Sequence, residues 1–376
     1  MLTRRLVEDM SAGRPRVREF GIKIGSLEPG AYNCITDVQG VSVGHVTLIE
    51  GQGALRPGHG PIRTGVTAIL PHRGNVFRKK VKAASFVING FGKSIGLVQL
   101  DELGTLETPI LLTNTLNVGL VADALIEHML DANPDIGVTT GTINPVVGEC
   151  NDSFLNDIRG RHVKPEHVEQ ALHSATDRQV EEGAVGAGTG MSAFELKGGI
   201  GSSSRIIPSQ YGGYAVGSIV LSNFGRLTDL IIDGTPVGRE LSEHMAPKSS
   251  ANGSIIILIA TNAPVSSRQL KRMARRATHG LARTGSVSTH GSGDIVIAFS
   301  TTSRVPHYRE DIRTPVGSIF EEDLTWLFRA TAEATEEAIL SSLFRAETMV
   351  GRDGNTRTAL PLDQTRTILH KYRKIQ

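Results

Sequence analysis

Hydrophobic and polar positions recur along this chain with two periods. In the first third the runs are short and β-like. Val41-Ser42-Val43-Gly44-His45-Val46-Thr47-Leu48-Ile49 alternates apolar with small or polar residues, as a half-buried strand does. Residues 65–71, 84–90 and 109–114 read as further strands, the first ending at Pro71. Then the period lengthens. Over 117–131, Leu120, Ala124, Ile126 and Leu130 recur at helical spacing, with Val121 and Leu125 beside them. This predicts a helix capped by Asn117 with those side chains turned inward. A second helix is expected from near Pro165 to Leu172, since proline suits a first helical position.

Beyond it, 183–225 is rich in glycine and closes on a strand-like run from Tyr214 to Asn223. No GxxxxGK[ST] pattern occurs, and no βαβ context surrounds a GxGxxG, so nucleotide binding is set aside in favour of close strand packing. Residues 226–253 carry Gly234, Pro236, Gly238 and Pro247 and read as an irregular, exposed linker. A strongly apolar strand, 254–261, follows. After Pro264, Ser266 or Ser267 caps a helix whose inner face is Leu270, Met273, Ala274, Ala277 and Leu281. Its outer side, Lys271, Arg272, Arg275 and Arg276, reads as a solvated face or a subunit contact. A strand at 294–299 and a long helix at about 320–345 complete the pattern. Such an order is not the regular βα alternation of a doubly wound sheet. It favours stacked sheets with helices outside.

Composition narrows the function classes. The 376 residues carry 40 Lys and Arg against 38 Asp and Glu, which gives no electrostatic case for nucleic acid or an anionic membrane. Cys34 and Cys150 form no CxxC pair, and the twelve histidines make no HExxH or HxH pattern. A metal site is therefore not expected, and His45, His128, His167, His279 and His290 are read as packing or surface residues. Met1 to Arg18 is charged without an apolar core, residues 1–30 look like a polar arm, and the longest apolar runs are too short to span a bilayer. A reduced, soluble, cytoplasmic protein is the expectation.

The candidate chemistry lies where the linker meets the apolar strand, at Asn252-Gly253-Ser254. Glycine permits backbone conformations closed to other residues. Ser254 can attack the carbonyl before it. Cleavage there would leave Ser254 as a new N-terminus carrying a hydroxyl and an α-amine, whose pKa of roughly 7.7–8.0 suits a base near neutrality. On these residues alone, a plain loop before a strand is the competing reading.

Motifs spread over some 300 residues then resemble one family. They are Ala31-Tyr32-Asn33-Cys34-Ile35-Thr36-Asp37-Val38, Arg63-Thr64-Gly65-Val66-Thr67-Ala68-Ile69, Thr113-Asn114-Thr115, Pro145-Val146-Val147-Gly148-Glu149, Gly188-Thr189-Gly190-Met191, Asn252-Gly253-Ser254 and Ser292-Gly293-Asp294-Ile295. The chain resembles the self-processing serine aminopeptidases, the L-aminopeptidase D-Ala-esterase/amidase and β-aminopeptidase group. That resemblance implies a single catalytic domain over 1–376 with a four-layer αββα sandwich. It implies self-cleavage into 1–253 and 254–376, homotetramers of the processed pairs, no metal or organic cofactor, and short peptides or aminoacyl amides as substrates.

Carried over by position, Ser254 is the nucleophile and Ser292 with Asp294 the hydroxyl–acid pair. Asn223 lends its amide to the oxyanion hole, and Glu149 meets the substrate ammonium. Some members carry a tyrosine where this chain has Asn151, which leaves that oxyanion or leaving-group contact altered; Tyr211 and Tyr214 do not replace it in sequence order. Whether the Ser254 amine or the Ser292–Asp294 pair takes the proton stays open. So do two alternatives: an acyltransferase of the same architecture, like the ornithine acetyltransferases, and an uncleaved peptide-binding scaffold.

Overall fold

The computed structural model describes residues 13–245, 253–309 and 318–372. The chain runs through β1 (Ser42–Glu50), β2 (Ile62–Leu70), β3 (Lys79–Gly90), α1 (Leu97–Leu103), β4 (Thr105–Leu106), β5 (Ile110–Asn114), α2 (Val118–Ala132), β6 (Val146–Cys150) and α3 (Pro165–His173). It continues through β7 (Ser192–Ala193), β8 (Leu196–Lys197), β9 (Gly199–Ile206), β10 (Ala215–Asn223), α4 (Val237–Ser242), β11 (Ser254–Thr261), α5 (Ser267–Arg283) and β12 (Gly293–Pro306). Last come α6 (Leu324–Arg345), β13 (Met349–Val350), β14 (Thr356–Arg357) and α7 (Leu362–Lys371).

Two mixed sheets stack face to face. The smaller has the order β1-β2-β5-β6 and the larger β4-β3-β12-β11-β10-β9. Between them lie Ile69, Ile110, Leu112 and Val146 from one side and Ile200, Ile219, Ile256 and Leu258 from the other. α5 and α6 cover the outer face of the larger sheet, and α2 and α3 that of the smaller. The result is a four-layer αββα sandwich. The unbroken apolar run of β11 now has a cause. Ile255, Ile257 and Ile259 face the helices while Ile256, Leu258 and Ala260 face the second sheet, so neither side of this strand meets water.

Several expected elements match. α5 starts at a Ser266 cap, with reciprocal bonds between Gln269 N–H and Ser266 Oγ (3.2 Å) and between Ser266 N–H and Gln269 Oε1 (3.1 Å). Its five predicted inward residues are all buried. Its basic outer side contacts this chain: Arg272 and Arg276 lie over the Phe328 ring, and Lys271 pairs with Asp101 at 2.9 Å. Close packing in the glycine-rich stretch is also real. A Cβ on Gly201 would lie 1.9 Å from the Ala338 carbonyl oxygen, so α6 rests directly on the β9 backbone.

Other expectations need correction. In α2 the inward stripe is Val121, Ala122, Ala124, Leu125 and Met129, so Val121, Ala124 and Leu125 face inward as expected, while Leu120 and Ile126 are half-buried and Leu130 is exposed. Asn117 makes no side-chain cap, and instead Asn114 Oδ1 accepts from the N–H groups of Leu116 (3.1 Å) and Asn117 (3.0 Å). The supposed polar arm turns one side into the core from residue 17 onward: Val17, Phe20, Ile22, Ile24 and Leu27 are buried while Glu19, Lys23 and Glu28 stay exposed, and Arg16 pairs with Glu182 at 2.6 Å. Residues 1–12 lie outside the described part. The supposed exposed linker buries Leu227, Leu230, Ile232, Val237 and Leu241; only its end, 246–252, lies outside the described residues. Short-range periodicity could not show either docking, because each uses irregular backbone satisfied by distant partners. Cys34 and Cys150 are free and buried. Among the described residues, no helix is long and apolar enough to cross a membrane.

Candidate active site

Strand register brings the candidate residues together. β10 and β11 are antiparallel, with Asn223 directly opposite Ser254. β11 and β12 are parallel, with Ile255 opposite Asp294. Ser254, Asn223, Ser292 and Asp294 therefore meet at one end of the larger sheet, although up to 71 positions separate them in sequence. All four are buried. β6, in the facing sheet, ends at the same place, because Asn223 Nδ2 donates to the Asn151 carbonyl oxygen at 3.0 Å.

Around Ser254 the geometry suits a nucleophile. The Gly293 N–H donates to Ser254 Oγ at 3.1 Å. Ser292 Oγ donates a short hydrogen bond to Asp294 Oδ1, so its lone pairs are free to accept another proton. Among the described residues, Asp294 Oδ2 is buried without a hydrogen-bond partner. Burial raises the Asp294 pKa above the ordinary carboxylate range, offset in part by the Ser292 hydroxyl, which makes it a better proton acceptor near neutrality.

Gly253 sits in a closely packed corner. What requires glycine is space: a Cβ there would lie 1.9 Å from the Asn223 carbonyl oxygen and 2.6 Å from Phe224 Cα.

Asn223 is held in one orientation. The Ser192 N–H donates to its Oδ1 at 2.9 Å, while its Nδ2 donates to Asn151 O. A backbone N–H can only donate and a carbonyl can only accept, so the amide cannot flip. One hydrogen of Nδ2 remains for a further acceptor.

Glu149 is buried on β6. Its Oε1 accepts from the Lys93 N–H at 2.8 Å and its Oε2 accepts a short bond from Thr115 Oγ1. A Cβ added to Gly92 would be 3.6 Å from Glu149 Oε1 and 3.7 Å from Gly293 Cα, so the carboxylate stands across one glycine from the nucleophile's neighbour. Asn151 itself is exposed, its Oδ1 accepting from the Ser153 N–H at 2.9 Å. Tyr211 stacks on Trp326 and does not stand in for it.

Sequence reasoning missed three polar groups here. The two hydrogens of Asn89 Nδ2 are shared among the carbonyl oxygens of Thr289, His290 and Ser292, bracing the turn that carries Ser292. Asp152 is fully buried, accepts from Thr64 Oγ1 (2.6 Å) and Asn156 Nδ2 (3.0 Å), and is pushed up to about 7 by burial. Lys197 is fully buried, and burial pulls it down to about 7. Nothing in local pattern marks them, apart from the acid's place two residues after a strand end. Of the five histidines singled out, His45 is held neutral by burial, its pKa lowered to about 4, with Nδ1 on Thr67 Oγ1 at 2.9 Å. Among the described residues, no cluster of His, Cys, Asp and Glu could hold a metal ion.

Known proteins share this sequence pattern and this fold. The peptidase family S58 pattern matches residues 33–357. β-Peptidyl aminopeptidase BapA of Sphingosinicella microcystinivorans is 42% identical over 380 residues, covering 97% of this chain and 94% of that protein. The solved structure of a Pyrococcus horikoshii OT3 protein is 56% identical with a TM-score of 0.91, covering 96% of this chain and 99% of that one. The L-aminopeptidase D-Ala-esterase/amidase of Ochrobactrum anthropi, described as a prototype for the serine aminopeptidases and a new variant among the Ntn hydrolase fold, is 36% identical with a TM-score of 0.89, covering 96% and 100%. The chain belongs to peptidase family S58 and is a self-cleaving N-terminal-serine hydrolase of the aminopeptidase and amidase type.

Proposed function

We propose that the bond this protein cuts in itself is Gly253–Ser254 and that Ser254 then serves as the nucleophile for substrate. In the precursor, Ser254 Oγ adds to the Gly253 carbonyl carbon. The C–N bond breaks, the Ser254 nitrogen leaves as an amine carrying the proton, and an ester to Oγ remains. Water hydrolyses that ester and frees the new N-terminus. In turnover the same oxygen attacks the substrate carbonyl. Its proton passes to the Ser254 α-amine or to Ser292, whose hydroxyl is already committed to Asp294. The second hydrogen of Asn223 Nδ2 meets the developing oxyanion, a contact worth roughly 3–4 kcal/mol in comparable sites. Glu149 pairs with the free ammonium of the substrate, which selects unblocked N-termini.

The observation that carries this reading is the meeting of Ser254, Asn223 and the Ser292–Asp294 pair on three adjacent strands, with a junction glycine that leaves no room for a Cβ unless the strands part. The two products stay together, since β11 and β12 of 254–376 sit between β3 and β10 of 1–253 in the larger sheet; separating them would expose both faces of two apolar strands. The processed pairs assemble as a homotetramer in the cytoplasm, where the buried thiols of Cys34 and Cys150 stay reduced. The substrates are short peptides and aminoacyl amides. Kinship with a β-peptidyl aminopeptidase makes β-aminoacyl amides the first to assay beside L- and D-alanyl amides.

Intact mass and N-terminal sequencing test the proposal. Two chains are expected, the second beginning Ser254-Ile255-Ile256. Ser254→Ala should stay a single chain without activity. Wild-type amide hydrolysis by that variant, or cleavage at another bond, would remove Ser254 from the mechanism.

A further inference from the structure

Lys197 is a lysine with 0% exposure. Among the described residues, no carboxylate lies among its hydrogen-bond partners. Its Nζ donates instead to three backbone carbonyl oxygens, those of Gly188 (3.0 Å), Met191 (2.9 Å) and Gly198 (2.6 Å). An ammonium has three hydrogens and a neutral amine two, so three acceptors at these distances favour the charged form, against the burial that pulls its pKa down to about 7. A buried cation without a counter-charge is costly. Such a group calls for a role, and its surroundings supply one.

The Met191 carbonyl and the Ser192 N–H belong to one peptide group. Its oxygen accepts from Lys197, and its N–H donates to Asn223 Oδ1 at 2.9 Å. The Asn223 amide is conjugated in the same sense, with its oxygen accepting and its Nδ2 donating. The order is therefore ammonium, peptide, side-chain amide, oxyanion. Each link draws electron density toward the cation and leaves the next N–H more positive. Hydrogen bonds chained in this way strengthen one another by roughly 10–30% per bond in a low-dielectric interior. Hairpin β7–β8 keeps the parts in line, with Ser192 paired to Lys197 and the Lys197 N–H bonded to the Thr358 carbonyl at 2.8 Å.

We infer that Lys197 is a positioning residue for the reaction: its ammonium holds and polarises the Met191–Ser192 peptide, which orients Asn223 and sharpens its Nδ2 as the oxyanion donor. Lys197 touches no reacting atom and acts only through Asn223. The inference rests on the reading of Asn223 as that donor.

The test is a double-mutant cycle on the full chain, reading the rate of self-cleavage and, for processed protein, kcat and KM on an alanyl amide. Lys197→Gln keeps two N–H donors and removes the charge. It is expected to slow self-cleavage and lower kcat by about tenfold, short of the 10²–10³ lost with a whole oxyanion donor, with KM within about twofold of wild type. In an Asn223→Ala background the same change should cost nothing further. A merely structural lysine would slow both backgrounds equally, and that result, or wild-type rates in Lys197→Gln, overturns the inference. If Asn223→Ala itself runs at wild-type speed, the oxyanion reading fails first; if only the Lys197 arm is silent, that reading stands and the relay does not. Should Lys197→Gln not fold, the wild-type protein decides by NMR of ¹⁵N-labelled lysine side chains. A solvent-protected Nζ signal in the ammonium form at assay pH supports the relay, and its absence refutes it.

Discussion

Replacing Gly253 with alanine tests how the scissile junction is built. The new Cβ would sit 1.9 Å from the Asn223 carbonyl oxygen, 2.6 Å from Phe224 Cα and 2.8 Å from the Asn223 carbonyl carbon. Those separations fall about 0.6–1.5 Å short of 3.4 Å, the near edge of ordinary contact. All three obstacles are backbone, so no side chain can swing away. β10 and β11 must part where Asn223 faces Ser254. Overpacking of this kind costs about 1–3 kcal/mol, which a folded domain survives with a lowered Tm. The chemistry suffers more. A displacement near 1 Å between attacking oxygen and carbonyl costs about 10²-fold in rate, and the Gly293 N–H to Ser254 Oγ bond lies in the same corner. We expect Gly253→Ala to fold, to melt a few degrees lower, and to self-cleave about 100-fold more slowly. The assay is the time course of one band becoming two on denaturing gels, with thermal melting of the uncut chain alongside. Once cut, residue 253 is a chain end free to move aside, so the processed variant should hydrolyse amides close to the wild-type kcat. Self-cleavage at the wild-type rate would show that the junction is not packed as described.

Two other outcomes follow from the same geometry. Glu149→Gln should lower kcat/KM for substrates with a free ammonium by about 10- to 100-fold, the worth of a charge-assisted contact, while N-acetylated analogues stay within twofold; equal losses would reject Glu149 as the ammonium anchor. Asp152 is held at about 7 against an ordinary 3.8, so between those values the folded chain binds more protons than the unfolded one, and wild-type stability falls as pH rises through that window. Asp152→Asn does not titrate. Urea unfolding of the uncut Ser254→Ala chain with and without it should show the asparagine gaining relative stability from pH 4 to 7, by up to about 4 kcal/mol; a difference flat with pH would mean that the carboxyl titrates normally.

Elements that depend on near neighbours were legible in the sequence. The Ser266 cap and the 3.6-residue stripe of α5, the proline start of α3, and the apolar run of β11 are local facts, and the structure keeps them. α6 shows the limit of periodicity. It buries Glu333, Glu336 and Glu337, because Arg205 and Arg283, from another strand and another helix, supply their counter-charges. No window of α6 holds those partners.

What the chain alone determined is the chemistry available: a hydroxyl after a glycine, a hydroxyl–acid pair, an amide at a strand end, and no sign of metal or nucleotide motifs. Register and layering decided how those groups meet. Asn223 faces Ser254 only because β10 pairs with β11 antiparallel in that register, and a slip of one residue would turn it to the other face. The need for glycine at 253, the docking of residues 17–27 in the core, and the three-carbonyl cage of Lys197 likewise came from tertiary structure. Each depends on atoms far along the chain, and distance in space is the one quantity that a linear order of residues does not carry.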